Sequence, residues 1–433
     1  MAEAASEGSS APRRLKNIVG GSAGNLVEWF DWYVYAAFTI YFARSFFPSA
    51  DPTAELLQAA AVFAVGFLMR PIGAWLMGIY ADRKGRKAGL TLSVSLMCTG
   101  SILIAIAPTH AQAGLLAPTI LVIARMIQGL SLGGEYGSSA TYLSEMAGKQ
   151  RRGFWSSFQY VTIIGGQLCA LGLLVFLQLI LTPEQLEAWG WRLAFAAGGV
   201  LAVVVFVIRR RLDETQSFTN AAARTDKPKS TSRNLFRDHP REALLVMALT
   251  AGGTASFYAY TIYLQKFLVN TSGFDRESAS RIMTLALAVM MLIQPFAGAL
   301  SDRIGRKPMM IFFGASATLF TYPLFTALET VRDPTTAFAL VMVSLVIVTG
   351  YTSINAVVKA ELFPAHIRAL GVALPFALAN TLFGGTAEYV ALWLKSIGHE
   401  RWFYLYISGL AACSLVAYIM MRETKTTSLI EED

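Results

Sequence analysis

Charged residues are scarce in this chain. Asp, Glu, Lys and Arg make up 15% of its 433 residues, whereas hydrophobic residues make up 55%. This much apolar surface exceeds what a soluble domain can bury, so an ordinary soluble enzyme or binding domain is excluded. The composition instead predicts a membrane protein whose chain crosses the bilayer many times.

Cysteine and histidine are also rare. Cys98, Cys169 and Cys413 each fall within an apolar run, and their spacing fits neither a disulfide framework nor a metal site. The four histidines fall in loops or at helix ends, which leaves no buried cluster for zinc or haem. The sequence contains neither a nucleophile elbow nor a phosphate-binding loop. We therefore expect no cofactor and no metal, and the sequence argues against an enzyme.

Long apolar runs account for most of the chain. At about 20 residues per span, they predict an all-α membrane protein with twelve transmembrane helices. Each predicted end is uncertain by about four residues. The predicted helices cover 17–47, 55–81, 88–108, 115–146, 154–181, 189–209, 241–270, 278–302, 308–328, 335–360, 368–396 and 401–421.

One charged pattern occurs twice in this apolar background. Its copies, Gly78–Lys87 and Gly298–Lys307, lie about half a chain apart, and each forms a short turn between two apolar runs. A polar stretch around Pro228 interrupts the apolar pattern between them. The chain is therefore read as a duplicated unit that forms two six-helix bundles. The predicted parts are a tail over 1–16, an N-terminal bundle over 17–209, a central loop over 210–240, a C-terminal bundle over 241–421 and a tail over 422–433.

Lysines and arginines are distributed unequally between the two sides of the predicted bundles. Most loop and helix-end cations, Lys359 among them, fall on one side. Those on the other side are Arg44, Arg276, Arg332, Lys395 and Arg401. Because positive residues are retained in the cytoplasm during insertion, both termini and the central loop are predicted to be cytoplasmic. The net charge of +8 then reflects membrane topology, and no nucleic-acid partner is expected.

Two acids lie deep in the first predicted helix. Glu28 and Asp31 are about fourteen residues from its cytoplasmic end, which places them near mid-membrane. Their spacing of three puts both carboxylates on one helical face, and like charges this close in low dielectric favour protonation of at least one. We predict a proton-carrying role for these acids. The alternative is that either acid pairs with a neighbouring helix and fixes packing.

Two arginines are similarly deep. Arg70 lies about 18 Å of helix before Asp82, and Arg125 lies within the fourth predicted helix. A buried arginine needs an acidic partner or an anionic ligand, and its planar fork matches a carboxylate. Glu135, further along the fourth helix, is a third candidate acid for proton coupling. Structural pairing is the alternative role for both arginines.

Three sequence segments indicate which protein family this chain resembles. Gly24–Asp31 reads GNLVEWFD, Phe67–Gly73 reads FLMRPIG, and a longer run extends from Arg125 to Gly137. Together with the repeated turn, they resemble the metabolite:proton symporter branch of the major facilitator superfamily. The resemblance extends over most of the chain. It implies two six-helix bundles that rock against each other around a substrate site near mid-membrane.

The same resemblance implies a function. It is proton-coupled uptake of a dicarboxylate, α-ketoglutarate foremost, by alternating access in the bacterial inner membrane. Citrate, shikimate or a zwitterion of the proline and betaine type is the alternative cargo. A passive channel or uniporter is disfavoured because it has no use for an acid and an arginine together at mid-membrane. The expected partners are the substrate, protons and lipid, and we expect a monomer.

The resemblance also assigns roles to charged residues. Asp31 and Arg125 match an acid and an arginine that proton-coupled relatives use as a coupling pair, in which protonation of the acid releases the arginine. The two charged turns match a cytoplasmic gate, in which an Asp caps a helix of the opposite half and an Arg contacts a Glu. The residues of this predicted gate are Asp82, Arg86 and Glu145 in the first half and Asp302, Arg306 and Glu361 in the second.

The charge of a dicarboxylate indicates which residues could bind it. A dianion in a low-dielectric site needs a cationic partner for each carboxylate. Because Arg125 matches the coupling pair, Arg70 is the better candidate for direct contact, with Arg125 as the second. Lys266 or Tyr263 of the seventh predicted helix is expected at the far end of the substrate. The alternatives are a lysine that extends to the membrane surface and a tyrosine that belongs to an interfacial belt.

Overall fold

The computed structural model describes part of the chain. The backbone is described over 3–84, 86–133, 136, 140–141, 143–144, 149–210, 232–364 and 367–430, and most side chains within 25–77, 91–133, 150–207, 232–364 and 367–430. All regular structure in these ranges is helical. The larger part of the predicted central loop lies outside them.

Twelve long helices account for the fold. They are α1 (Glu3–Phe46), α2 (Pro52–Lys84), α3 (Arg86–Ile106), α4 (Leu116–Leu132), α5 (Arg152–Ile180), α6 (Pro183–Val207), α7 (Pro240–Asn270), α8 (Arg276–Ile304), α9 (Arg306–Thr330), α10 (Pro334–Glu361), α11 (Arg368–Ser396) and α12 (Glu400–Met420). Within the described residues, nine of them are long and apolar enough to cross a membrane, and α3 and α4 contain shorter apolar helices. With the long α1, these are the twelve predicted spans.

The two halves meet mainly through two helix pairs. α5 of the first half packs along α8 of the second, and α2 packs against α11. Gly153 on α5 and Gly298 on α8 approach so closely that a Cβ on Gly298 would lie 2.5 Å from the Gly153 carbonyl oxygen. Small residues allow helices to approach in this way. We call the face at which α8 ends and α9 begins the basic face, because Arg303 and Lys307 lie there.

Three helices of the second half are irregular at membrane depth. α7 contains a π-helical turn over Ala259–Tyr263, α11 contains another over Asn380–Gly384, and α10 breaks at Ser353 and Ile354. Irregular backbone in a membrane is tolerated where it is buried in protein or lines a cavity. The apolar pattern predicts uninterrupted helices here, and these distortions leave no mark in it.

A proline beside Arg70 shapes the contact between α2 and α11. Pro71 has no N–H, so the Phe67 carbonyl oxygen four residues earlier loses its usual helical partner. The Thr381 hydroxyl of α11 donates to that oxygen at 2.8 Å. A Cβ on Gly385 would lie 2.3 Å from the Phe67 ring. The proline thus creates an acceptor that joins the two halves directly beside a candidate substrate residue.

Candidate substrate and coupling site

Aromatic side chains surround the Arg70 guanidinium. Its guanidinium carbon is 4.1 Å from the Phe67 ring centroid, 4.3 Å from that of Trp32 and 5.2 Å from that of Trp29. The Nε and Nη2 atoms are buried and make no hydrogen bond to any described residue. Ring faces attract a cation but accept no strong hydrogen bond. Arg70 therefore keeps buried donors that no described residue occupies.

Arg125 lies against the same tryptophan. Its guanidinium carbon is 3.9 Å from the Trp32 centroid and 4.4 Å from that of Tyr35. Its Nε and Nη2 atoms also lack a hydrogen-bond partner among the described residues. Trp32 is fully buried and contacts both arginines. Two like charges are thereby held close together, an arrangement that favours an anion.

Asp31 and Arg125 are joined through a third residue. The Arg125 Nη1 atom donates to the Gln128 amide oxygen at 2.8 Å, and the Gln128 amide nitrogen donates to Asp31 Oδ2 at 2.8 Å and to the Ser101 hydroxyl at 2.9 Å. We call Asp31, Gln128 and Arg125 the coupling relay. Gln128 was not among the predicted site residues, although its position three residues after Arg125 places it on the same helical face.

The other candidate acids have different surroundings. Glu28 is buried on the first helix, as its position predicts. Glu135 lies outside the described residues. In the described part of the chain, no group of His, Cys, Asp and Glu side chains is suited to a metal. The proton-coupling roles of Glu28 and Glu135 stay predictions.

A glycine of α6 makes room for the Asp31 carboxylate. A Cβ added to Gly198 would lie 2.1 Å from Asp31 Oδ1, far inside contact distance. We expect Gly198→Ala to displace Asp31 from Gln128 and to reduce substrate uptake at least tenfold, as loss of about 1.4 kcal/mol of stabilisation would do. Uptake by reconstituted protein measures this.

The matched control is Gly172→Ala on α5, because a Cβ there meets nothing within 4 Å. This variant should transport at the parental rate. Equal activity of the two alanine variants would show that the space around Asp31 is not required.

Lys266 and Tyr263 face acids in this conformation. The Lys266 ammonium lies 2.8 Å from Glu388 Oε1, and both side chains are buried. The Tyr263 hydroxyl donates to Glu400 Oε1 at 3.0 Å. The structure brings neither of them to Arg70, and α7 and α11 of the same half supply the buried pair. Their substrate-binding roles stay predictions.

A cluster between the halves was missed by the sequence analysis. The Tyr136 hydroxyl of the first half donates to Asn355 Oδ1 at 2.9 Å, and the Tyr136 ring stacks on Phe376 of α11 with centroids 3.7 Å apart. The Lys359 ammonium donates to the same Asn355 oxygen at 2.9 Å and to the Tyr351 hydroxyl at 3.4 Å. The charge count places Lys359 in a segment on the cytoplasmic side and does not anticipate its burial, since the side chain is 1% exposed. Its side of the membrane stays a prediction.

The second copy of the charged turn joins the two halves, where a gate is predicted. Asp302 accepts from the Gly153 N–H at 2.8 Å and from the Phe154 N–H at 2.9 Å, at the N-terminus of α5. Arg306 Nη1 lies 2.8 Å from Asp302 Oδ1, and its Nη2 lies 3.8 Å from Glu361 Oε1. A carboxylate at a helix N-terminus is favoured by unsatisfied N–H groups and the helix dipole. We call this set the basic-face gate.

The first copy of the turn is described only in part. Asp82 lies in α2 and Arg86 in α3, but their side chains are outside the described set. Glu145 lies outside the described residues altogether. The gating roles of all six charged residues stay predictions.

The segment after α12 packs onto the basic-face gate. Glu423 accepts from the Arg306 and Lys307 N–H groups at 2.9 and 3.0 Å. The Thr424 hydroxyl donates to Glu361 Oε2 at 2.6 Å, and Lys425 Nζ donates to the Asp302 carbonyl oxygen at 2.6 Å. Further along, Arg152 of the first half donates to the Ser428 hydroxyl at 3.2 Å. We call residues 423–430 the tail segment. The apolar pattern predicts only a free cytoplasmic tail here.

The halves also touch on the opposite face. Arg276 at the start of α8 pairs with Glu187 at the start of α6. The Gln178 amide of α5 donates to the Ser280 hydroxyl of α8 at 3.3 Å. The described halves are therefore joined by contacts at both faces.

Sequence comparison places this arrangement in a family. A model described as Major Facilitator Superfamily matches residues 22–387. The chain belongs to this superfamily. Its twelve helices in two bundles, its charged turns and its buried central charges are those of a transporter fold.

Individual relatives agree with this membership. The chain is 52% identical to the alpha-ketoglutarate permease of Escherichia coli strain K12 over 413 residues, which cover 95% of each chain. It is 32% identical over 423 residues to a citrate-proton symporter of Klebsiella pneumoniae, with 94% of each chain covered. The xylose transporter XylE of E. coli, in a partially occluded inward-open conformation, aligns with a TM-score of 0.72 and 20% identity over 94% of this chain and 97% of that one. The last likeness concerns the fold alone.

Proposed function

We propose that this protein takes up a dicarboxylate, most favourably α-ketoglutarate, together with protons by alternating access. Two buried arginines carry the proposal: Arg70 and Arg125 lie against one tryptophan, and no described residue accepts a hydrogen bond from their Nε and Nη2 atoms. The similarity to an alpha-ketoglutarate permease over nearly the whole chain supports this cargo. Citrate is the second candidate, because the more distant relative is a citrate-proton symporter.

Substrate binding would use Arg70. An ionised carboxylate accepts hydrogen bonds from the Nε and Nη2 atoms in a bidentate fork, and the flanking Trp29 and Phe67 rings exclude water around that pair. Exclusion of water strengthens the electrostatic interaction. Satisfying two buried donors that otherwise lack partners gives the bound state its advantage.

Proton coupling would use the relay. While Asp31 is ionised, it accepts from Gln128, whose oxygen in turn holds Arg125. Protonation of Asp31 removes the negative charge at one end of the relay, so Gln128 and Arg125 are held less strongly. Arg125 is then available to the substrate anion. The substrate would therefore bind best to protonated protein, which links the two fluxes in one direction.

Alternating access would be governed by the gate. The basic-face contacts join the halves when that face is closed, and the Arg276–Glu187 pair joins them at the opposite face. Breaking one set opens the central charges to one side. The uneven distribution of loop cations supports a cytoplasmic location for the basic face and for both termini. Uptake then ends with the basic-face gate opening.

The direct test is uptake by proteoliposomes. Purified protein is reconstituted, and labelled α-ketoglutarate, citrate and proline are offered with and without an inward proton gradient. We expect α-ketoglutarate to accumulate only with the gradient and a protonophore to abolish accumulation. Indifference to both treatments would refute coupling, and accumulation of proline alone would refute the anion assignment.

A conservative substitution tests whether Arg70 binds the substrate carboxylate. Arg70→Lys keeps the charge but loses the bidentate fork, so α-ketoglutarate affinity should fall by about 1–3 kcal/mol, or roughly five- to 150-fold. Calorimetry on purified protein measures this.

Arg281→Lys is the matched control, since Arg281 is half-exposed on α8 and pairs only with Glu277 one turn away among the described residues. It should bind as the parent does. Parental affinity in Arg70→Lys would remove Arg70 from the site and leave Arg125 as the arginine to test.

A further inference from the structure

We propose that Lys359 binds the second carboxylate of the transported dicarboxylate, across the central region from Arg70. This inference rests on the function proposed above and replaces the far-end ligand expected on α7. It assigns to the second half of the chain its own anion site, built from α10 and α11.

The surroundings of Lys359 are those of a ligand-binding cation. The ammonium group lies 4.1 Å from the Phe376 centroid and 5.7 Å from those of Tyr136 and Tyr351. Its hydrogen bonds go to neutral groups, Asn355 Oδ1 and the Tyr351 hydroxyl. Among the described side chains, no carboxylate pairs with it. A buried ammonium group that lacks a countercharge favours an anion that can supply one.

The two cations of the proposed site are connected through α7. Phe67, whose ring lies 4.1 Å from the Arg70 guanidinium carbon, packs edge-on against Tyr258 of α7 with centroids 5.2 Å apart, and a Cβ on Gly253 of the same helix would lie 2.4 Å from the Tyr351 ring. Tyr351 and Asn355 are in turn the hydrogen-bond partners of Lys359. Arg70 and Lys359 therefore border one central region, with Arg70 in the first half and Lys359 in the second. A molecule with a carboxylate at each end can contact both halves at once.

Lys266 is less suited to the same task. Its ammonium already pairs with Glu388 at 2.8 Å within its own half. A substrate carboxylate would have to displace a buried carboxylate there, which gains no net charge compensation. At Lys359 it displaces only neutral groups, the Asn355 amide oxygen and the Tyr351 hydroxyl. The second carboxylate is thus better accommodated at Lys359.

Occupation of Lys359 would also act on the contact between the halves. The Asn355 oxygen accepts from both Lys359 and Tyr136. A substrate carboxylate that takes over the Lys359 ammonium releases Asn355 from one of its two donors. Tyr136 and Asn355 can then separate, and the stacked pair of Tyr136 and Phe376 can part toward the basic face. Substrate binding would thereby favour opening on the side of release.

The test compares two ligands of equal length. α-Ketoglutarate and 2-oxopentanoate share five carbons and the 2-oxo acid group, but only the first has a distal carboxylate. Binding of both is measured by calorimetry to the parent, Lys359→Gln and Lys359→Arg in detergent. We expect Lys359→Gln to lose α-ketoglutarate affinity by about tenfold or more while binding 2-oxopentanoate within about twofold of the parent. Lys359→Arg should retain most of the preference for α-ketoglutarate.

A further variant guards against misfolding. Lys359→Met keeps the length of the side chain and suits the Phe376 ring, so it should fold even where Lys359→Gln does not, and the same loss of preference is expected. Retention of the full preference for α-ketoglutarate in either folded variant would overturn the inference, as would equal loss of both ligands. If the parent transports α-ketoglutarate and the Lys359 variants bind it as the parent does, this inference alone is refuted. If the parent transports no dicarboxylate, the proposed function is refuted as well.

Discussion

Asp31→Asn is expected to abolish gradient-driven accumulation while substrate exchange continues. The variant keeps the shape of the side chain and its contact with Gln128 but cannot bind and release a proton. A gradient of about two pH units supplies about 2.7 kcal/mol per proton, enough for a roughly 100-fold substrate ratio with one coupled proton. The variant should reach a ratio of about one. Proteoliposome uptake under an imposed gradient and counterflow exchange measure the two activities separately.

Substrate exchange by Asp31→Asn is the internal control of that experiment, because it shows that the variant still binds and moves substrate. The Glu277→Gln variant is a separate control. Glu277 is a half-exposed carboxylate on α8 that contacts Arg281, and its loss should leave both activities unchanged. If Asp31→Asn lost exchange and accumulation to the same extent, Asp31 would be assigned to substrate binding or to folding instead.

Asp302→Asn is expected to slow transport by about tenfold or more while substrate affinity stays within about threefold of the parent. Asp302 makes two charge-assisted hydrogen bonds to the N-terminus of α5 in the other half. Such bonds contribute about 1.5–3 kcal/mol each, so weakening them moves the equilibrium away from the state closed at the basic face. Initial uptake rate, calorimetry and distances between spin labels on α5 and α8 measure the three effects.

Asp333→Asn is a closely matched control. Asp333 also caps a helix, accepting from the Thr336 N–H at 2.7 Å, but that helix is its own and the contact lies within one half. The hydrogen bonds from Thr336 hold the pKa of Asp333 below its ordinary value, so it is ionised at neutral pH as an effective cap requires. Its substitution should affect stability modestly and transport rate little. Equal slowing by both variants would attribute the effect to capping in general, and loss of binding in folded Asp302→Asn would place Asp302 in the substrate site.

The helices and the burial of three of their charges could be predicted from the sequence. Apolar runs of membrane-spanning length give the number of helices, and counting along a helix predicts the depth of Asp31, Arg70 and Arg125. All three are buried in the structure. Depth alone, however, does not say which way a side chain faces. The pairing of Lys266 with Glu388 depends on the relative rotation of α7 and α11, which residue spacing within one helix does not determine.

The relay and Lys359 show two further limits. Gln128 carries no charge, so a search for buried ions passes over it even though it connects two of them. Lys359 lies two residues before the end of α10, where counting predicts the membrane surface. Its side chain turns back toward Asn355 and Tyr351, one and two helical turns earlier. The direction of a long side chain can thus outweigh the position of its backbone.

The position of the tail segment has a consequence for how the protein is made. A ribosome releases residues 423–430 only after all twelve helices, at roughly 5–20 residues per second during synthesis. Glu361, Arg306 and Arg152 are therefore in the bilayer well before Ser428 and its neighbours exist to bind them. A growing chain can insert its helices but cannot yet form the contacts of the tail segment at the basic face. Those contacts therefore come after insertion of the helices that they join.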